Sequence, residues 1–329
     1  MNGPGAVNQS PLFVLSLPRS GSTLVQRVLA FHDQVSTAPE PWVVLPQVYA
    51  MRERGAFAEY GQVPAARALR EFAERLPGGE EGYREELRRF LLGLYARASG
   101  GRGTYFLDKT PRYHFVIEDL FGLFPNAKYV FLWRNPLSVA SSIVETWARG
   151  AWTCERWHRD LFDGLARLVE GYERHSGASC AVRYEDLVGE PERTWRGVFD
   201  YLQLPFDPKA LQSFASVDLD ARMGDHTGSR AYGSLNTEPL TKWRSTITNP
   251  VRKRWCRSYL RWIGEHRLSV MGYNLSQLLH ELDAVPGDSR RLGSDLVRGS
   301  YWGAVGIRRR RAFRTLTQYR QASLDSEPS

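Results

Sequence analysis

Leu12-Phe13-Val14-Leu15-Ser16-Leu17-Pro18-Arg19-Ser20-Gly21-Ser22-Thr23-Leu24 is an apolar run that passes into a Gly/Ser/Thr loop and then into helical spacing. An apolar run of this length, closed by turn formers, predicts a buried strand over Leu12–Leu17, and the apolar spacing after it predicts a helix over Thr23–Phe31. The N–H groups that open such a helix lack intrahelical partners and sit at the positive end of its dipole, so the loop suits a phosphate-like anion. Gly21 permits close backbone approach, Ser20, Ser22 and Thr23 add hydroxyls, and Arg19 adds a fixed cation. A tight turn with a serine N-cap is the plain alternative.

Working outward, short apolar runs recur at Tyr105–Leu107, Tyr129–Trp133 and Cys180–Val182. Helical spacing recurs over Glu81–Ala98, Tyr113–Phe124, Pro136–Ala148, Glu155–Arg174 and Glu192–Leu202. This alternation predicts an α/β fold, a central parallel β-sheet with flanking helices. One domain is expected over residues 1–288. It carries a helical insertion over 42–100, broken at Gly78-Gly79, and a surface excursion over 205–250 that is rich in Gly, Ser, Asp and Asn. After Pro286 a basic extension follows, over residues 289–329.

At 329 residues, 42% hydrophobic and 24% charged, the composition excludes a disordered chain, a collagen or a coiled coil. The net charge of +8 is an arginine charge, because only five of its cations are lysines. Residues 289–329 carry +6 and the rest of the chain +2. Three scattered cysteines suit neither a disulfide framework nor a zinc site, and no metal is expected. The first apolar run meets Pro18 and Arg19 within a few residues, so neither a signal peptide nor a spanning helix is read, and a cytoplasmic protein is the expectation.

A nucleotide-triphosphatase loop would need lysine directly after Gly21, where Ser22 stands, and the run Tyr129–Trp133 leads into Arg134 where such enzymes place a magnesium-holding aspartate. Arg134 sits at the carboxyl end of a predicted strand, where open α/β sheets bind their ligands. Ser142 follows eight residues later, two helical turns on, and can face the same anion; a small serine that only packs a helix is the alternative.

Together these residues resemble the sulfotransferase family. Pro18-Arg19-Ser20-Gly21-Ser22-Thr23 is similar to that family's 5′-phosphosulfate loop, and Arg134-Asn135-Pro136 with Ser142 to its 3′-phosphate motif. The resemblance covers Pro11 to Trp243. It implies a P-loop-like sulfotransferase fold, 3′-phosphoadenosine-5′-phosphosulfate as sulfuryl donor, and a hydroxyl-bearing acceptor. Tyr184, in Val182-Arg183-Tyr184-Glu185-Asp186-Leu187, matches the family's adenine-side tyrosine, and Lys242, in Lys242-Trp243, the late lysine that reaches a donor phosphate.

The family divides on its general base. Members of the phenol and steroid type carry Lys-Thr-His, but here Lys109-Thr110-Pro111 puts proline at the histidine position. This resembles the protein-tyrosine and carbohydrate branch, whose base is a glutamate. Glu40, twenty-one residues after Arg19 and followed by Pro41 and Pro46, stands at that branch's offset. The resemblance therefore implies Glu40 as base, with Arg19 and Lys109 stabilising the leaving phosphate oxygen. His114 is the rival base.

The run Asp295–Arg320 mixes aromatic and aliphatic residues with arginines and suits a peripheral contact with an anionic membrane surface, or a solvated extension. No motif supports a nucleic-acid partner. Two further readings stay open: a P-loop-type nucleotide kinase or NTPase, and a non-catalytic adaptor on the same fold that binds a membrane or polyanion.

Overall fold

The structure, a computed structural model, describes residues 9–217, 219 and 235–298. They divide into two compact units. The first holds the described residues up to Asn135 with Gly164–Glu238 and Val270–Gly272; the second holds Pro136–Asp163, Pro239–Ser269 and those from Tyr273 onward.

The first unit is built on β1 (Ser10–Ser16), β2 (Val35–Thr37), β3 (Tyr105–Asp108), β4 (Lys128–Trp133) and β5 (Ser179–Arg183). They lie in the order β2-β3-β1-β4-β5, and all neighbouring pairs are parallel. Leu12 pairs with Leu107 on one side and Lys128 on the other, so β1 is the central strand. Leu12, Phe13, Val14 and Leu15 are at most 1% exposed. A strand covered on both faces needs an unbroken apolar run, and this one has it. The chain runs from β1 toward β2 and β3 on one side and toward β4 and β5 on the other. In such sheets the ligand crevice opens at the carboxyl ends of the central strands.

The expected strands are all present. β2 adds one that was not expected, because three residues with two polar side chains carry no readable alternation. Helix α1 (Ser22–Ala30) follows β1, and the insertion folds as α2 (Val44–Ala50), α3 (Gln62–Ala73) and α4 (Gly79–Ala98), with Gly78 and Gly79 both at positive φ where the break was expected. The helix expected over Tyr113–Phe124 is instead a 3₁₀ turn, Tyr113–Phe115, and then α5 (Ile117–Leu123), parted at Val116 (φ −135).

In the second unit α6 (Pro136–Trp147) begins with proline at its first position, where the missing N–H costs nothing. The single helix expected over Glu155–Arg174 is a 3₁₀ turn at Cys154–Trp157, a π-helical stretch at Arg159–Gly164 and α7 (Leu165–His175). Within the second unit the Tyr259 hydroxyl donates to the Leu161 carbonyl at 2.8 Å, an outside donor of the kind that widens a helix locally. In the first unit α8 (Tyr184–Gly189) and α9 (Pro191–Leu202) follow β5. The 205–250 excursion contains short helices at Ala210–Ser213, Glu238–Thr241 and Trp243–Thr246, while residues 218 and 220–234 lie outside the described residues.

The helix Pro250–Val270, broken at Gly264 (φ 78), carries Arg252 in the second unit. The Arg252 side chain donates from Nε to Asp295 at 2.7 Å, from Nη1 to the Thr246 carbonyl at 2.9 Å and from Nη2 to the Gly150 carbonyl at 2.9 Å. Asn249 donates to the same Asp295 oxygen at 2.8 Å. Asp295 is 0% exposed, so the start of the basic extension is packed chain. Residues 299–329, and the membrane contact expected of them, lie outside the described residues. Asp295→Ala leaves the Arg252 charge buried without its carboxylate, an expected loss of about 3–5 kcal/mol in unfolding free energy. Urea unfolding reads it directly, and a midpoint equal to wild type would show that this pair does not hold the segment.

Candidate active site

The loop between β1 and α1 lies at the carboxyl end of the central strand. Arg19 takes a left-handed backbone (φ 67), Ser20 is buried with its N–H donating to the Leu17 carbonyl at 3.3 Å, and Gly21 (φ 93) caps α1 with no side-chain hydrogen bond. Ser22 and Thr23 are the first helical residues, both buried. A β-carbon on Gly21 would lie 2.3 Å from Cδ2 of Tyr184, so the fully buried Tyr184 ring rests against the loop only because residue 21 has no side chain.

Arg134, just beyond β4, closes this group. Its guanidinium stacks 4.4 Å from the Tyr184 ring centroid and Nη1 donates to the Arg19 carbonyl at 2.9 Å. The next amide, Asn135 N–H, donates to Glu185 Oε1 at 2.9 Å, which ties the β4 exit to the start of α8. Arg19, Gly21, Arg134 and Tyr184 are thus one contact group, although they come from three separate stretches of chain.

A second group stands at the end of β3, next to β1 in the sheet. Lys109 Nζ donates to Glu40 Oε1 at 2.8 Å, with the two side chains 3% and 12% exposed. Glu40 (φ 35) and Trp42 (φ 57) both have left-handed backbones, a strain of about 1–3 kcal/mol each that persists only where surrounding contacts over-determine the turn. Gln26 of α1 donates to Thr37 Oγ1 at 2.8 Å and the Ala38 carbonyl at 3.1 Å, tying the loop's helix to the segment that leads into Glu40.

Beneath Lys109, Asp108 is 0% exposed and accepts from Tyr95 Oη at 2.6 Å, Tyr113 Oη at 2.6 Å and Thr110 Oγ1 at 3.0 Å. Thr110 Oγ1 in turn accepts the Trp42 N–H at 3.2 Å. Burial raises the Asp108 pKa, against the pull of the three hydroxyls and of Lys109; burial and the Asp108 charge raise those of Tyr95 and Tyr113. Sequence reasoning missed this cluster. Its one local signal is an acid at the end of a predicted strand, directly before Lys109.

His114 lies in the buried 3₁₀ turn. Its Nδ1 is 3.2 Å from the Pro111 carbonyl, which can only accept and so fixes the ring proton on Nδ1, and burial pushes the imidazole down to about 3. An imidazole that weak is poorly matched to proton abstraction near neutral pH. Ser142 and Lys242 belong to the second unit, Ser142 half-buried on α6 and Lys242 exposed at the start of the helix Trp243–Thr246. Among the described residues no three His, Cys, Asp or Glu side chains gather as a metal site, and no helix is long and apolar enough to cross a membrane.

Residues 11–208 match a family model described as the sulfotransferase family. Nodulation protein NoeE of Sinorhizobium fredii (strain NBRC 101917 / NGR234) is 28% identical, with the match covering 96% of this chain and 75% of that protein. Protein-tyrosine sulfotransferase A of Caenorhabditis elegans is 24% identical over 73% of this chain and 62% of its own length, less than two thirds. Among solved structures, the sulfotransferase domain from the Synechococcus PCC 7002 olefin synthase superposes with a TM-score of 0.48 at 25% identity, covering 76% of this chain and 92% of that one.

Proposed function

The chain belongs to the sulfotransferase family and has its α/β, P-loop-like fold, and from that premise we propose that it moves a sulfuryl group from 3′-phosphoadenosine-5′-phosphosulfate to a hydroxyl acceptor, with Glu40 as general base. The observation that carries this reading is the Lys109–Glu40 pair, a nearly buried cation and carboxylate at the strand end beside the loop that Arg134 and Tyr184 close.

The residues fit such a donor. The Gly21 loop opens α1, whose first N–H groups suit an anion, and Arg19, Ser20, Ser22 and Thr23 supply charge and hydroxyls. Within the first unit, Tyr184 is the adenine-side residue and Arg134 a donor-phosphate cation; for Ser142 and Lys242, in the second unit, a phosphate role is what the family resemblance implies. The donor supplies the activated sulfuryl group. The protein positions the acceptor in line and stabilises charge on the departing phosphate oxygen, the task of Lys109 and Arg19. The Lys109 ammonium has three N–H donors, so it can meet that oxygen while it still donates to Glu40 Oε1, and the Glu40 carboxylate keeps lone pairs to take the acceptor's proton.

The protein-tyrosine sulfotransferase relative supports a hydroxyl as the accepting group. Three cysteines without disulfides fit a reducing, cytoplasmic setting and an acceptor met there, whether small molecule, glycan or lipid-linked. The test is transfer of labelled sulfate from the donor to a panel of hydroxyl compounds, with calorimetric binding of the product nucleotide, 3′-phosphoadenosine-5′-phosphate. Transfer to at least one compound and micromolar product binding are expected. A purified protein that binds neither donor nor product at micromolar concentration refutes the reading.

A further inference from the structure

We propose that Asp108 is a positioning residue for the Lys109–Glu40 pair, acting through the Thr110 hydroxyl on the Trp42 amide; the proposal rests on Glu40 being the base. The cluster is connected at every atom. Tyr95 reaches Asp108 Oδ2 from α4 and Tyr113 reaches the same oxygen from the 3₁₀ turn, so two hydroxyls from different elements fix the carboxylate's rotation. The other oxygen, Oδ1, accepts a hydrogen bond from the Thr110 hydroxyl. With its proton committed there, Thr110 Oγ1 presents a lone pair to the Trp42 N–H.

That direction matters because Glu40 and Trp42 flank Pro41 in left-handed backbone, a turn that local propensity does not hold. Among the described residues it is held from outside by the Trp42 N–H donating to Thr110 Oγ1 and by Lys109 donating to the Glu40 carboxylate. Both come from residues that follow Asp108 directly. A buried carboxylate is expensive to desolvate, and three hydroxyl donors with a neighbouring ammonium offset that cost only while the ion accepts from all of them. With Asp108 as the shared acceptor, the Thr110 hydroxyl is held where it meets the Trp42 amide, and that contact helps to set where Glu40 stands.

Thr110→Val removes the relay hydroxyl at nearly constant shape and leaves Asp108 its two tyrosines. Transfer should lose about tenfold or more in kcat, with product-nucleotide Kd within about twofold of wild type, the pattern of an interaction felt at the reacting centre. Thr110→Ser should restore most of the rate. A kcat within twofold of wild type, or a Kd that worsens in step with kcat, overturns the proposal.

A double-mutant cycle on urea midpoints, Thr110→Val with Glu40→Gln, reads the same coupling without any transfer. Non-additive midpoints support it and additive ones overturn it. If wild-type protein transfers no sulfate and the midpoints are still non-additive, the functional reading fails and the positioning stands. Asp108→Asn tests the carboxylate itself by the same two readouts wherever the variant folds.

Discussion

Glu40→Gln is expected to lower sulfuryl transfer by about 10²- to 10⁴-fold, the usual contribution of a positioned general base, while the product-nucleotide Kd stays within about twofold. The substitution is nearly isosteric, and the amide oxygen can still accept from Lys109, which donates to Oε1 at 2.8 Å in the native pair. What disappears is the capacity to take a proton. The loop, Arg134 and Tyr184 are untouched, so nucleotide binding is the internal control. Measured side by side, a rate loss without an affinity loss supports Glu40 as base. Undiminished transfer would move the base elsewhere, and His114 would be a poor successor: its imidazole is buried, bonded to the Pro111 carbonyl and held near 3.

Gly21→Ala should act on the other half of the site. A β-carbon at this position meets the Tyr184 ring at 2.3 Å and forces alanine into φ 93, a region that L side chains rarely adopt. The backbone strain alone is about 1–3 kcal/mol. Relief of the clash must also push back a ring that Arg134 covers at 4.4 Å, and Arg134 itself holds the Arg19 carbonyl. Loop, ring and guanidinium therefore move together. Product-nucleotide affinity should fall by about tenfold to a hundredfold, each tenfold being 1.4 kcal/mol. Titration calorimetry on protein shown by circular dichroism to be folded gives the answer. Wild-type affinity in this variant would mean that the loop is not where the nucleotide binds.

Much of the fold is legible because its signals are local. Leu12–Leu15 must be apolar without a break to sit at the centre of a parallel sheet, and Gly21, Ser22 and Thr23 must follow at once for the chain to turn into α1. Gly78-Gly79 marks the break before α4 for the same reason. Other features carry no local signal. β2 is three residues long and exists because β3 offers an edge to Val35–Thr37. The Glu155–Arg174 stretch has the apolar spacing of one helix, and spacing does not distinguish 3₁₀, π and α turns when an outside donor such as Tyr259 takes a carbonyl from the ladder.

The site divides along the same line. Residue types in short spacing named Arg19, the loop hydroxyls and Arg134, which are properties of the linear chain; Lys109, Tyr184 and Glu40 were named by the resemblance to the sulfotransferase family. Which of them touch was settled only by folding. Glu40 and Lys109 are sixty-nine positions apart and meet because β2 and β3 are neighbours in the sheet. Tyr95 reaches Asp108 only because α4 packs there, and Arg134 reaches Arg19 only because β4 lies against β1. Hydrogen bonds and ring contacts between distant residues depend on how the strands are ordered and how far each helix runs, and burial gives those contacts their strength. The sequence by itself determined an α/β chain with a Gly/Ser/Thr loop and placed cations; the tertiary structure alone decided that its acid and its lysine form one buried pair, set on a carboxylate that no motif had marked.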